Sequence, residues 1–127
     1  MADDDLEDLE LFGDAILNIE PSAGVQKFTT GKAVLEYLSN QPDDQLPCLM
    51  VLDYNMPEQN GAEVLAQICR DTRYDSISKV ILSTSSSPSH MRECLESGAT
   101  DYFVKPNNMK EVDEVARKML SYCQIKS

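Results

Sequence analysis

Apolar positions along this 127-residue chain change period several times, and the changes divide it into alternating elements. Over residues 5–19, Leu6, Leu9, Phe12 or Gly13, Ile16 and Leu17 recur at helical spacing. The acidic residues at the start of this stretch suit the positive end of a helix dipole. Pro21, Ser22 and Gly24 break the pattern, and residues 25–29 read as a short strand. Gly31 opens a helix through Ala33, Val34, Tyr37 and Leu38, which stops before Pro42. Cys48, Leu49, Met50, Val51 and Leu52 are apolar without interruption, as in a strand buried on both faces of a parallel sheet. A helix over residues 61–70 places Val64, Leu65 and Ile68 inward. A second buried strand follows at 79–82, then a hydroxyl-rich loop at 83–89, a helix at 89–96 ending at Gly98, a strand at 102–104 and a helix at 109–122. Strands alternating with helices predict a doubly wound α/β domain with right-handed crossovers, one domain over residues 1–127. The pattern begins with a helix, not a strand.

Composition narrows the function classes. The formal net charge of −11 argues against a nucleic-acid partner, which needs clustered Lys and Arg. No apolar run is long enough to cross a membrane, and the first residues are acidic rather than those of a signal peptide. Cys48, Cys69, Cys94 and Cys123 form no CxxC pair, and they sit far apart in or beside apolar segments. They are expected to be buried or half-buried thiols in a reducing cytosol.

In open α/β sheets the ligand site lies beyond the carboxyl ends of the strands. Asp53 closes one buried run, Ser83 and Thr84 close the next, and Lys105 with Pro106 closes the last. Asp3, Asp4 and Asp5 stand just before the first helix, where the carboxyl end of a first strand falls. Carboxylates, a hydroxyl and one ammonium at a single crevice suit metal-assisted phosphoryl transfer to a carboxylate. Mg²⁺ takes oxygen ligands, and a carboxylate can serve as nucleophile to form an acyl phosphate. Each residue alone has a plainer reading: an acidic helix start, a turn aspartate, a solvated loop. The weight comes from all of them falling at successive strand ends.

The segment Val51-Leu52-Asp53-Tyr54-Asn55-Met56-Pro57, followed by Gly61, resembles the phosphoacceptor segment of response-regulator receiver domains of two-component signalling. Ala2-Asp3-Asp4-Asp5 is similar to their acidic pair, and Ile81-Leu82-Ser83-Thr84 to their switch hydroxyl. Gly98-Ala99 through Tyr102-Phe103-Val104-Lys105-Pro106 resembles their closing motif. The resemblance implies a flavodoxin-like parallel sheet in the order 2-1-3-4-5. It implies Asp53 as phosphoacceptor, with Asp3, Asp4, Asp53 and the backbone carbonyl of Asn55 around Mg²⁺. It also implies Ser83 and Lys105 at the phosphoryl group, with Thr84 a poorer substitute for Ser83, and Tyr102 as an aromatic switch. The implied partners are a sensor histidine kinase or histidine phosphotransfer protein in the cytoplasm and a downstream protein docking on the last two helices and last strand, with a homodimer left open. Beyond its own phosphorylation and dephosphorylation such a domain is not an enzyme.

The start departs from the family, because only Met1 and Ala2 precede the acidic run. A first strand missing or truncated in this sequence is expected to leave neighbouring strands unpaired. A haloacid-dehalogenase-like phosphatase normally carries a second aspartate where Asn55 stands, and a flavin carrier places its hydroxyl-rich loop after the first strand. A receiver-fold scaffold that is never phosphorylated is the remaining alternative. The Lys105–Pro106 bond is expected to be cis, at a cost of about 0.5–1 kcal/mol, to turn the lysine into the crevice.

Overall fold

The computed structural model describes residues 1–124, so the last three residues of the expected domain lie outside the described residues. Eight regular elements follow one another: α1 (Leu6–Ile19), α2 (Gly31–Asn40), β1 (Leu49–Leu52), α3 (Gly61–Cys69), β2 (Ser78–Ser83), α4 (Pro88–Glu96), β3 (Asp101–Val104) and α5 (Met109–Gln124). Short side chains start several of the helices by accepting otherwise unpaired N–H groups. Asp5 caps α1 through the amides of Glu7 and Asp8, Thr30 caps α2, and Asn60 forms a reciprocal capping box with Glu63 on α3. Gly98 ends α4 with φ +114°, where a β-carbon would also sit 2.4 Å from the Cys69 Sγ.

β1, β2 and β3 are parallel and lie in that order, with Leu52 opposite Ile81 and Ser83 opposite Val104. Alternation along the strands sends side chains to two apolar layers. Met50, Leu52 and Ile81 pack with Val34 and Leu38 of α2, Leu65 and Ile68 of α3, and Cys94 of α4. Val51, Val80 and Leu82 pack on the other face with Phe12 and Ile16 of α1 and Val112, Ala116 and Met119 of α5. Helices therefore cover both faces, as the alternation of elements predicts.

The amino end is where sequence and structure differ. Residues 25–29 do not form a regular strand; only Phe28 bridges in parallel to Ala2, and Ala2 bridges on its other side to Leu52. These bridges set the segment at Phe28 beside Ala2, and Ala2 beside β1. Met1, Ala2 and Asp3 are the central members of this ladder among the described residues. The Phe28 amide donates to the Met1 carbonyl at 2.8 Å, the Asp3 amide to the Phe28 carbonyl at 3.0 Å, and the Asp53 amide to the Ala2 carbonyl at 2.9 Å. The Met1 ammonium donates to the Gln26 carbonyl at 2.8 Å, and desolvation pushes its pKa down to about 6. It borders an apolar cavity of about 390 Å³ lined by Ile16, Val25, Leu38, Met50 and Leu120 among others.

Two further expectations are corrected. Lys105–Pro106 is trans, as is every peptide bond of the described residues. The Lys105 amide continues the β3 ladder onto the Ser83 carbonyl at 2.7 Å, and from there the extended chain delivers the lysine to the crevice without a turn. The cysteines are not all thiols either. Cys48 and Cys123 form a disulfide, with Cα atoms 5.3 Å apart, because the last turn of α5 comes to rest beside the start of β1. Cys69 is an exposed thiol, and only Cys94 is the buried thiol foreseen. Burial pushes the Cys94 thiol up to about 11. A thiol-reactive chromophore added to the unreduced protein is expected to titrate Cys69 in the native state and Cys94 only after unfolding. All four should react after reduction; four thiols in unreduced, unfolded protein would contradict the pairing.

Candidate functional site

Asp53 follows the last residue of β1, and its backbone is fixed from two sides. Its amide is tied to the Ala2 carbonyl, and Gly61 opens α3 so closely that a β-carbon there would lie 2.7 Å from the Asp53 carbonyl oxygen. The Gly61 amide donates to the Tyr54 carbonyl at 2.8 Å, which closes the loop between β1 and α3. Met1–Asp3 brings the acidic run alongside. One carboxylate oxygen from each of Asp3, Asp4 and Asp53 lies within 4.8 Å of the others. Asp3 and Asp53 are buried and Asp4 is exposed, so the cluster opens to solvent on one side.

Lys105 enters this cluster from the end of β3. Its Nζ donates to Asp3 Oδ2 at 2.7 Å, to Asp8 Oδ2 at 2.7 Å and to Asp53 Oδ2 at 3.4 Å, with its side chain 7% exposed. Burial pulls the lysine pKa down, but the hydrogen bonds to Asp3 and Asp8 and the charge of Asp53 outweigh it, and the ammonium is held above its ordinary value. Asp3 moves the opposite way. Desolvation raises its pKa to about 6, against the lowering pull of the Lys105 and Asp5 hydrogen bonds, and the Asp53 charge adds to the rise. Four carboxylates, those of Asp3, Asp4, Asp8 and Asp53, thus crowd one ammonium.

The structure brings together Asp3, Asp4, Asp53 and Lys105 as the strand ends suggest. Asn55 is exposed and its amide donates to Asp53 Oδ1 at 3.3 Å, which orients the carboxylate. Ser83 is fully buried at the end of β2, and its Oγ accepts the Ser85 amide at 3.2 Å; Thr84 is exposed. Tyr102 is half-buried, and its hydroxyl donates to the Ser85 carbonyl at 2.7 Å. Asp5 is the helix cap of the plainer reading and is not in the cluster, although its amide donates to Asp3 Oδ1 at 2.9 Å. Asp8 was missed. Its signal is its place three residues beyond the cap, in the first turn of a helix whose start adjoins the crevice.

Comparison with known proteins agrees with the fold. Residues 1–117 match the family model of the response regulator receiver domain. The two-component response regulator ORR11 of rice (Oryza sativa) is 33% identical over 91 residues, which is 72% of this chain and 60% of ORR11. The chain thus aligns with only part of that relative's length. The phosphorylated cyanobacterial phytochrome response regulator RcpA superposes with a TM-score of 0.86 at 24% identity, covering 99% of this chain and 92% of RcpA. The Mn²⁺-bound response regulator Rcp1 superposes at 0.72 and 24% identity, over 94% of this chain and 88% of Rcp1. At that identity the superpositions speak for the fold alone. The chain belongs to the response-regulator receiver family of two-component signalling.

The raised pKa of Asp3 has a definite sign. A carboxyl titrating near 6 in the fold and near 3.8 unfolded contributes stability below the unfolded value, and that stability is lost as pH rises through about 6. In chelator, the stability of Asp3→Asn relative to the parent is therefore expected to rise as pH goes from 4 to 7, whatever the lost Lys105 contact costs at every pH. Denaturant unfolding at several pH values measures this; a constant difference across the range would contradict the upward shift that burial gives the Asp3 carboxyl.

Proposed function

We propose that this domain is a phosphorylation switch in which Asp53 accepts a phosphoryl group from the phosphohistidine of a sensor histidine kinase or histidine phosphotransfer protein. The observation that carries this reading is that Asp53 Oδ2 shares the Lys105 ammonium with Asp3 inside an acidic crevice at the strand ends. A structural ion pair would need one carboxylate for one lysine; here the negative charge is in excess.

Three carboxylate oxygens within 4.8 Å of one another are the hard donors that Mg²⁺ prefers. Asp3, Asp4, Asp53 and the backbone carbonyl of Asn55 would hold the ion, which supplies positive charge against the phosphoryl oxygens and orients them. Rcp1, of the same fold, is Mn²⁺-bound, and RcpA is phosphorylated. An Asp53 oxygen attacks phosphorus, the P–N bond breaks, and its electron pair returns to the imidazole nitrogen. Lys105 balances part of the added charge, and the Ser83 hydroxyl donates a hydrogen bond to a phosphoryl oxygen. The change passes to Tyr102 and so to the surface of α4, β3 and α5, where a protein partner docks.

With a net charge of −11 the expected output partner is a protein rather than nucleic acid. The domain processes its own acyl phosphate and no other substrate. We place it in the cytoplasm, beside the kinase; reduction there would leave Cys48 and Cys123 as adjacent thiols.

Incubation with a radiolabelled phosphohistidine donor or acetyl phosphate is expected to give a hydroxylamine-sensitive label that needs a divalent ion. Asp53→Asn should abolish it. Label that survives this substitution, or forms fully in chelator, would overturn the assignment.

A further inference from the structure

α4 is the helix least secured by apolar packing. Cys94 is its one buried residue, against five on α3, and no side chain caps its start. Its position therefore depends on polar and aromatic contacts, and these converge on two residues. Ser85 holds four partners at once. Its amide donates to Ser83 Oγ at 3.2 Å, its Oγ lies 2.6 Å from His90 Nδ1 and accepts the Ser87 amide at 3.3 Å, and its carbonyl accepts the Tyr102 hydroxyl at 2.7 Å. His90, the single histidine of the chain, sits on α4 and stacks on Tyr54 with ring centroids 4.2 Å apart and planes at 17°. Tyr54 is the residue after Asp53, is buried, and donates its hydroxyl to Glu93 Oε2 of α4 at 2.9 Å.

We propose that Ser85 and His90 are positioning residues that couple the state of Asp53 to the placement of α4. The proposal rests on the phosphoacceptor reading of Asp53 and deepens it by naming how α4 is regulated. When the Ser83 hydroxyl turns to a phosphoryl oxygen, the Ser85 amide loses or follows its acceptor. The displacement reaches Tyr102 through the Ser85 carbonyl and α4 through the Ser85 Oγ and the His90 ring. The stack on Tyr54 gives α4 a second hold on the phosphoacceptor loop, so that the helix registers both β1 and β2. A ligand shifts such an element only by its differential affinity for the two placements, and in this chain that difference passes through Ser85. Tyr102 and α4 are then separate readouts with one shared junction.

Beryllofluoride with Mg²⁺ is the probe, with three measurements on the whole chain. Fluorine resonances report loading at Asp53, the His90 ring protons and α4 amides report the helix, and the Tyr102 ring protons report the strand. In the parent protein, loading is expected to shift all three groups of signals together. In Ser85→Ala and His90→Phe, the second of which keeps an aromatic ring on Tyr54, loading affinity should stay within about twofold and the Tyr102 shift should persist. The α4 shifts should fall to roughly half or less. The amide spectrum of each unloaded variant checks that it is folded. If the α4 shifts survive in full in both variants, or His90 is unmoved by loading of the parent, the coupling is wrong while the phosphoacceptor reading stands. If no bound beryllofluoride appears in the parent, both fall.

Discussion

Among the described residues, the ammonium of Lys105 is the positive charge around which the carboxyl ends of the sheet are assembled. It reaches across from β3 to Asp3 beside the central bridge, to Asp8 on α1 and to Asp53 at the end of β1. Removing one partner of a buried ionic cluster costs about 3–5 kcal/mol, because the remaining charges stay behind without water. The backbone around Asp53 is shaped for this cluster. Ala2 and Gly61 pin the chain on either side, and Gly61 has no β-carbon because the Asp53 carbonyl oxygen occupies that space. The crevice is left with more negative charge than Lys105 can neutralise, which makes it receptive to a cation.

Much of this was legible in the sequence. The unbroken apolar run before Asp53 and the run at 79–82 marked strands buried between two layers, and residues at strand ends could be gathered into one crevice without knowing any distance. What the sequence concealed depended on packing. Asp8 was read as part of a helix dipole, and only the approach of α1 to the end of β3 turns it toward Lys105. The Cys48–Cys123 pairing spans 75 residues and exists because α5 crosses the sheet to end beside β1, which spacing alone does not reveal. The 25–29 segment has the composition of a strand, yet it bridges in parallel only at Phe28, to Ala2. The trans Lys105–Pro106 bond has a different setting: the Lys105 amide's ladder bond to the Ser83 carbonyl already aims the lysine.

Apolar burial is unevenly distributed among the helices, which bears on the proposed switch. Phe12 and Met119, on α1 and α5, are among the largest fully buried side chains. α4, by contrast, has one buried residue, Cys94. Elements that move between states come from the weakly packed end of a structure, and a helix held mainly by hydroxyls and an aromatic stack can be shifted by a change of hydrogen-bond partner.

Excess negative charge around Lys105 is the central physical claim, and the Mg²⁺ dependence of stability tests it most directly. Denaturant unfolding of the parent protein and of Asp53→Asn, each with and without Mg²⁺ at matched ionic strength, separates site binding from general screening. The charge balance predicts that Mg²⁺ stabilises the parent, increasingly with concentration, and stabilises Asp53→Asn far less. No stabilisation of the parent, or the same stabilisation in both proteins, would contradict it.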